Sequence, residues 1–223
     1  MARDQEVPSS NLGGGFFSMK SPDKNIKQNQ SFFNKGAKRY DNPLLQFWMR
    51  RFHAPTIEEL RFTSATKILD ISCGTEELLK KLQGKAELYG IDISEAMLKV
   101  AKGKLGAQAT LQKGDVHALL FQDRFFDYVI TTEAFHHYYN QQKALQEISR
   151  VTKKEGKVII VDVNFFLKSI HWLFKKLEPG HVKINSRKEM KYLFKESGLR
   201  ILTQKRSFLF AIMTVGEKPE NLL

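Results

Sequence analysis

Residues 68–76 read ILDISCGTE: an apolar run ending in an acid, a loop of small residues, and the start of a helix-like EELLKKL. The run KILDI (67–71) is short, apolar and β-branched, which predicts a buried strand. In the loop, Gly74 has no Cβ and lets the backbone approach a ligand closely. A strand, a tight loop and a helix in that order aim backbone amides at one place. Alone the pattern is weak, because loops with one glycine are common. Its partner is YGIDIS (89–94), in which Asp92 follows a second predicted strand, ELYGI (87–91). A carboxylate there can accept from both hydroxyls of a ribose, and about 20 residues between loop and acid is the spacing of a nucleotide site. The competing role for Asp92 is a helix N-cap, although Ser94 is the better candidate for that.

Outward from this centre, strands and helices alternate. SEAMLKVAKGKL is a predicted helix, ATLQK (109–113) a weaker third strand, and FDYVITT (126–132) a fourth. QQKALQEISRVTK has one apolar face, formed by Ala144, Leu145, Ile148 and Val151. GKVIIVDV (156–163) is a fifth strand that looks buried on both sides. This rhythm predicts a doubly wound, Rossmann-like α/β domain with a parallel sheet and right-handed crossovers. After Val163 the rhythm changes. NFFLKSIHWLFKKLEPG reads as a basic amphipathic helix, SRKEMKYLFKESG as a last helix stopped at Gly198, and RILTQKRS with FLFAIMTVG as a closing hairpin. Before the core, aromatic and basic residues interleave over 30–62, which predicts a helical cap. Residues 1–29 are turn-rich and aperiodic and are expected to be a disordered tail, so that 30–223 forms one domain.

Composition narrows the function classes. Hydrophobic residues are 42% and charged residues 27%, a globular balance, and no apolar run approaches the roughly 18 residues of a membrane span. Cys73 is the single cysteine, so neither an intramolecular disulfide nor a cysteine-rich metal centre is available. With no apolar segment after the N-terminal charges, the expected location is the cytoplasm. The net charge of +12 is uneven: residues 1–53 contribute +5, 54–165 are neutral, and 166–223 contribute +7. Basic flanks suit an anionic substrate, an anionic membrane or RNA, unless they are simply a solvated face.

The segments ILDISCGT, GIDISEAML, KGDVHALLF, FDYVITTEAFHH and KALQEISRVTKKEGKVIIVD, in this order across 67–163, resemble class I S-adenosylmethionine-dependent methyltransferases. They are most similar to the group containing the ubiquinone and menaquinone biosynthesis methyltransferases. AKRYD (37–41) and the SRKEM and FKESGL stretches resemble that group more loosely. The resemblance implies a seven-stranded, mostly parallel sheet of order 3-2-1-4-5-7-6 with the last strand antiparallel, and S-adenosylmethionine as cofactor. It implies that Asp70, Ser72, Cys73 and Gly74 enclose the methionine part. Asp92 would take the ribose hydroxyls and Ile93 would pack on the adenine. Asp115 would accept from the adenine amino group, with Val116 offering its backbone amide, and Thr132 would line the pocket near the sulfonium. The family loop reads Asp-x-Gly-x-Gly-x-Gly, whereas here the glycine places hold Ser72, Gly74 and Glu76. Glu76 brings a carboxylate toward the cofactor's own carboxylate and ammonium, repelling the first and attracting the second.

Methyl transfer from a sulfonium needs mainly alignment in a water-poor pocket, because the leaving group is already activated. A phenol, acidic carbon or amine also needs a base. His136 and His137, just after the fourth strand, are the catalytic candidates, against a structural pair at a helix start. Adjacent histidines point different ways, so no metal site is expected. Tyr40, Phe47 and Trp48, with Phe165, Phe166, Ile170, Trp172 and Leu173, are candidate lid residues over an apolar pocket. The expected activity is methyl transfer to a small or lipid-like molecule, with possible peripheral contact to anionic membrane. The alternatives are an RNA methyltransferase, which lacks an Asn/Asp-Pro-Pro-aromatic motif here, and an inactive binding or scaffold protein.

Overall fold

The computed structural model describes residues 22–165 and 180–220. Seven strands form one sheet: β1 Lys67–Ile71, β2 Glu87–Asp92, β3 Ala109–Lys113, β4 Phe126–Thr132, β5 Thr152–Val163, β6 Arg200–Phe208 and β7 Ala211–Glu217. Their order is 3-2-1-4-5-7-6, with β7 antiparallel to both β5 and β6. The doubly wound sheet inferred above is therefore the observed one. The pairing of β1 with both β2 and β4 makes β1 the strand from which the winding runs in both directions. Ligands of such sheets bind in the crevice beyond the carboxyl ends of the strands at that reversal.

Alternate residues of β1 feed two cores. Leu69 and Ile71 pack with Ala144, Leu145 and Ile148 of α5 (Gln141–Val151) and with Met190 and Phe194 of α6 (Arg187–Glu196). Ile68 packs on the other face with Phe52 of α2 (Pro43–Glu59) and with Leu78 and Leu79 of α3 (Glu77–Lys80). Period-two alternation sends each side chain to its own helix layer. α4 (Glu95–Leu105) starts at Ser94, whose hydroxyl accepts from the Met97 amide. α6 starts with a full capping box between Ser186 and Glu189.

Residues 22–29, placed in the tail by the sequence, belong instead to α1 (Pro22–Gly36). Hydrophobic periodicity misses this half of the helix because its buried face is polar. The Asn25 amide donates to the Gly180 carbonyl and the Asn29 amide to the His137 carbonyl. The amphipathic helix expected after Val163, with Phe166, Ile170, Trp172 and Leu173, lies outside the described residues. Among the described residues no helix is long and apolar enough to cross a membrane.

Candidate active site

The loop after β1 holds three left-handed residues in alternation: Ser72 at φ 60°, Gly74 at 56° and Glu76 at 69°. These are the three places where the sequence resemblance expects glycine, and all three hold a conformation that glycine adopts without strain although two of them are not glycine. Its position is fixed from both sides. The Cys73 amide donates to the Ile91 carbonyl at 3.0 Å, and the Ser72 hydroxyl lies 3.1 Å from that of Tyr138. Tyr138 in turn meets the Thr131 hydroxyl at 2.9 Å, which ties the loop to β4.

Asp92 ends β2 and braces the loop across the crevice. One oxygen accepts from the Gly74 amide at 2.9 Å and the other from the Ser94 amide at 2.7 Å. Burial pushes its pKa up to about 6, against the pull of the Ser94, Gly74 and Ile93 amides. Ile93 and Met97 line the wall beyond it. Opposite, Asp115 engages its own neighbours. Its Oδ1 accepts from the His117 amide at 2.9 Å and lies 2.5 Å from His117 Nδ1. The Asn140 amide donates to His117 Nε2, which leaves Nδ1 to donate to Asp115. Burial works to raise Asp115, but bonds from His117 and Tyr139 outweigh it and hold the carboxyl below its ordinary value. The His117 ring stacks on Tyr139 with centroids 3.6 Å apart, and Val116 lies in the same wall.

At the end of β4, Thr132 lines the crevice and Glu133 follows at φ 51°, a conformation unfavourable for glutamate. The indole of Trp48, on α2, donates to Glu133 at 2.5 Å. The two candidate histidines part company here. His137 lines the pocket, edge-on to Phe33 of α1 at 5.3 Å. His136 is not among the lining residues: it is fully buried, and its Nδ1 lies 2.6 Å from Asp162 Oδ1 on β5. The two rings lie close, with centroids 4.2 Å apart, but only His137 reaches the crevice wall, while His136 sits behind it against Asp162.

Helix α1 covers the site. Gln30 donates to the Ile93 carbonyl, Asn34 accepts from Ser94 Oγ at 2.6 Å, and Asn29 reaches His137. His53 of α2 also lines the crevice. Burial, with Lys81 adding to it, pushes its pKa down to about 3, so it is neutral near pH 7. Reading the sequence alone misses His53, Glu133, His117 and Tyr139. Only Glu133 carries a local signal, as an acid directly after a predicted strand that reaches the crevice.

The crevice thus gathers Asp70, Ser72, Cys73, Gly74, Asp92, Ile93, Asp115, Val116, Thr132 and His137 in one place. Six carboxylates line it, from Asp70, Glu76, Glu77, Asp92, Asp115 and Glu133, and no Lys or Arg is among the described lining residues. Asp70 Oδ1 and both Glu76 oxygens are buried without a hydrogen-bond partner. Such a lining disfavours phosphate and suits a hydroxyl-bearing ligand of net positive charge, as S-adenosylmethionine is. Among the described residues no group of side chains is arranged to hold a metal ion.

Residues 69–160 match a family model described as a methyltransferase domain. A demethylmenaquinone methyltransferase of Bacillus mycoides is 29% identical over an alignment of 225 residues, covering 85% of this chain and 94% of the relative. One of Thermotoga maritima is 30% identical over 146 residues, 63% of either chain. Among solved structures, a chain of the complex between the Haloferax volcanii Trm112 methyltransferase activator and a methyltransferase superposes with a TM-score of 0.75. It has 19% identity and covers 84% of this chain and 98% of that one. An S-adenosylmethionine-dependent methyltransferase of Aquifex aeolicus gives a TM-score of 0.64 at 18% identity, covering 82% and 97%. At these identities the solved structures speak for the fold.

Proposed function

We propose that this chain methylates a small, lipid-like molecule, because residues 69–160 match a methyltransferase-domain model and the sheet is doubly wound. S-adenosylmethionine is the cofactor, and when bound it supplies an electrophilic methyl group on a sulfonium. The observation that carries the reading is the crevice itself: six carboxylates, no described Lys or Arg, and Asp92 braced at the β2 end. Asp92 takes the ribose hydroxyls. Ile93, Asp115 and Val116 hold the adenine, and the 70–74 loop encloses the methionine part. His137, which lines the crevice, takes a proton from the acceptor, and α1 with Tyr138 keeps water out.

A second cavity joins the first through Phe33, Tyr40 and Glu133, and is completed by Phe32, Gly36, Arg39 and Leu45. Its aromatic walls suit a flat ring on an apolar tail. Demethylmenaquinone, named in the relatives, is the first acceptor to try. Leu44 and Phe47 stand exposed on α2 beside Arg50 and Arg51, a surface suited to anionic lipid. The buried Cys73 fits a reducing cytoplasm.

The test is calorimetric titration with S-adenosylmethionine, followed by transfer of a labelled methyl group to reduced demethylmenaquinone in anionic vesicles. Label in the organic phase and vesicle binding that falls with salt support the reading. Absence of cofactor binding overturns it, and label in added RNA instead of lipid would move it to a nucleic-acid acceptor.

A further inference from the structure

Glu76 is fully buried, and the Cys73 thiol, a weak donor, is the one group beside its otherwise unpartnered carboxylate oxygens. It stands in a left-handed conformation that glycine would adopt without strain. Its carboxylate does not cap the helix that follows, since Glu76 makes no side-chain bond to the α3 amides. Instead it turns down over Gly90 on β2, beside the Cys73 sulfur and Leu111. Gly90 is the register partner of Asp70, so Glu76 lies beside the β1 and β2 ends that carry Asp70 and Asp92. Burial disfavours its charged form most, and repulsion from Asp70 and Asp92 adds to this. The Lys104 ammonium, whose field partly compensates, is already bound to Asp41 and Glu77 at 2.7 Å each.

Strain, desolvation and like-charge repulsion thus meet at one residue, with only the weak Cys73 thiol and an already paired Lys104 to offset them. Buried charge without a partner is costly, and such residues persist where a ligand completes them. The matching ligand must be a cation. Resting on the methyltransferase reading above, we propose that Glu76 makes the crevice charge-selective, so that it holds the cationic methyl donor in preference to the demethylated product.

The chemistry makes this selection useful. In the transfer, the acceptor's electron pair forms the new bond to carbon, and the carbon–sulfur bond breaks with its pair left on sulfur. The sulfonium becomes a neutral thioether, and the net charge of the bound molecule falls from +1 to zero. Glu76, Asp70 and Asp92 then face a ligand that no longer offsets them, which favours release of product and its replacement by fresh donor. A glycine at position 76 would keep the loop path but offer no such discrimination.

The test compares wild type, Glu76→Gln and Glu76→Gly by calorimetry at one salt concentration. The ligands are S-adenosylmethionine, S-adenosylhomocysteine and sinefungin, which carries an amine in place of the sulfonium. Wild type should favour both cationic ligands over S-adenosylhomocysteine. In Glu76→Gln that preference should shrink about tenfold, the size expected of one charge pair at intermediate distance. Glu76→Gly relieves the backbone and should show the same loss, which separates charge from misfolding. An unchanged ratio in either folded variant overturns the proposal and leaves the methyltransferase reading standing. No binding of any of the three ligands to wild type overturns both.

Discussion

The carboxylate of Glu76 occupies the space that a side chain on Gly90 would fill. Two positions that look independent in sequence, a loop residue after β1 and a strand residue in β2, are therefore one packing unit. A Cβ at Gly90 would also meet Leu111 Cδ2 at 2.7 Å and Cys73 Sγ at 3.1 Å. The absent side chain on β2 makes the room, and the loop glutamate takes it.

Gly90→Ala should therefore destabilise the protein by about 1–3 kcal/mol through overpacking. Part of that cost should disappear in the background of Glu76→Gly, where the carboxylate no longer competes for the space and only the Leu111 and Cys73 contacts remain. Chemical denaturation of the two single variants and the double variant measures the coupling. Additive effects would mean that Glu76 and Gly90 do not share the space.

Asp92→Asn keeps the size of the side chain and one acceptor oxygen but removes the charge. Two ribose hydroxyls would then lose a charged acceptor, so S-adenosylmethionine should bind roughly 2–4 kcal/mol more weakly. The Gly74 and Ser94 amides also rest on this carboxylate, so the loop itself should loosen. Calorimetry together with amide exchange of the loop checks both effects. Equal affinity in a folded variant would remove Asp92 from the cofactor site.

The two neighbouring histidines should separate cleanly. His137→Gln should lower turnover about 10²–10⁴-fold if the ring takes the acceptor's proton, with cofactor affinity nearly unchanged. His136→Ala should instead unfold more easily, by about 3–5 kcal/mol, because it leaves the Asp162 carboxylate without its buried partner. Melting curves and turnover of both variants decide it. Equal kinetic defects at equal stability would contradict the division.

Much of this was legible in the sequence wherever one apolar pattern decides the outcome. β1, β3 and β4 have the limits that their apolar runs suggest, and Ser94 caps α4 as its residue type implies. Asp92 could be located because a strand end is a defined place. Other features depend on what side chains do across the fold. The first half of α1 is held by Asn25 and Asn29, which carry no hydrophobic period. Whether His136 or His137 faces the crevice is set by the turn after β4. The direction of Glu76 follows from a positive φ and from the register of Asp70 with Gly90. No local rule gives either.

The ligand-free protein should respond to pH through its buried carboxyls. Burial and the neighbouring Asp70 raise the Glu76 carboxyl well above its ordinary value. A carboxyl raised on folding makes the native state hold more protons than the unfolded chain, so stability falls as pH rises through that interval. Asp92 behaves alike between its ordinary value of 3.8 and about 6, an interval worth about 3 kcal/mol. His53, lowered to about 3, acts oppositely and loses stability as pH falls below its ordinary 6.5. Glu189, held at about 2, and the lowered Asp115 and Glu147 act mainly below about pH 4.5. Total stability therefore mixes signs, whereas the difference between wild type and Glu76→Gln isolates this one carboxyl and its coupling to Asp70, Asp92, Cys73 and Lys104. Glu76→Gln should melt higher than wild type at pH 8, by roughly 2–8 °C for a domain of this size. Its lead should narrow as pH falls toward the ordinary carboxylate range, because the raised carboxyl takes up its proton before the unfolded chain does. Calorimetric melting from pH 5 to 8 measures the lead directly. A lead that stays constant with pH, or a wild type that melts higher at pH 8, would show that Glu76 is partnered within the protein.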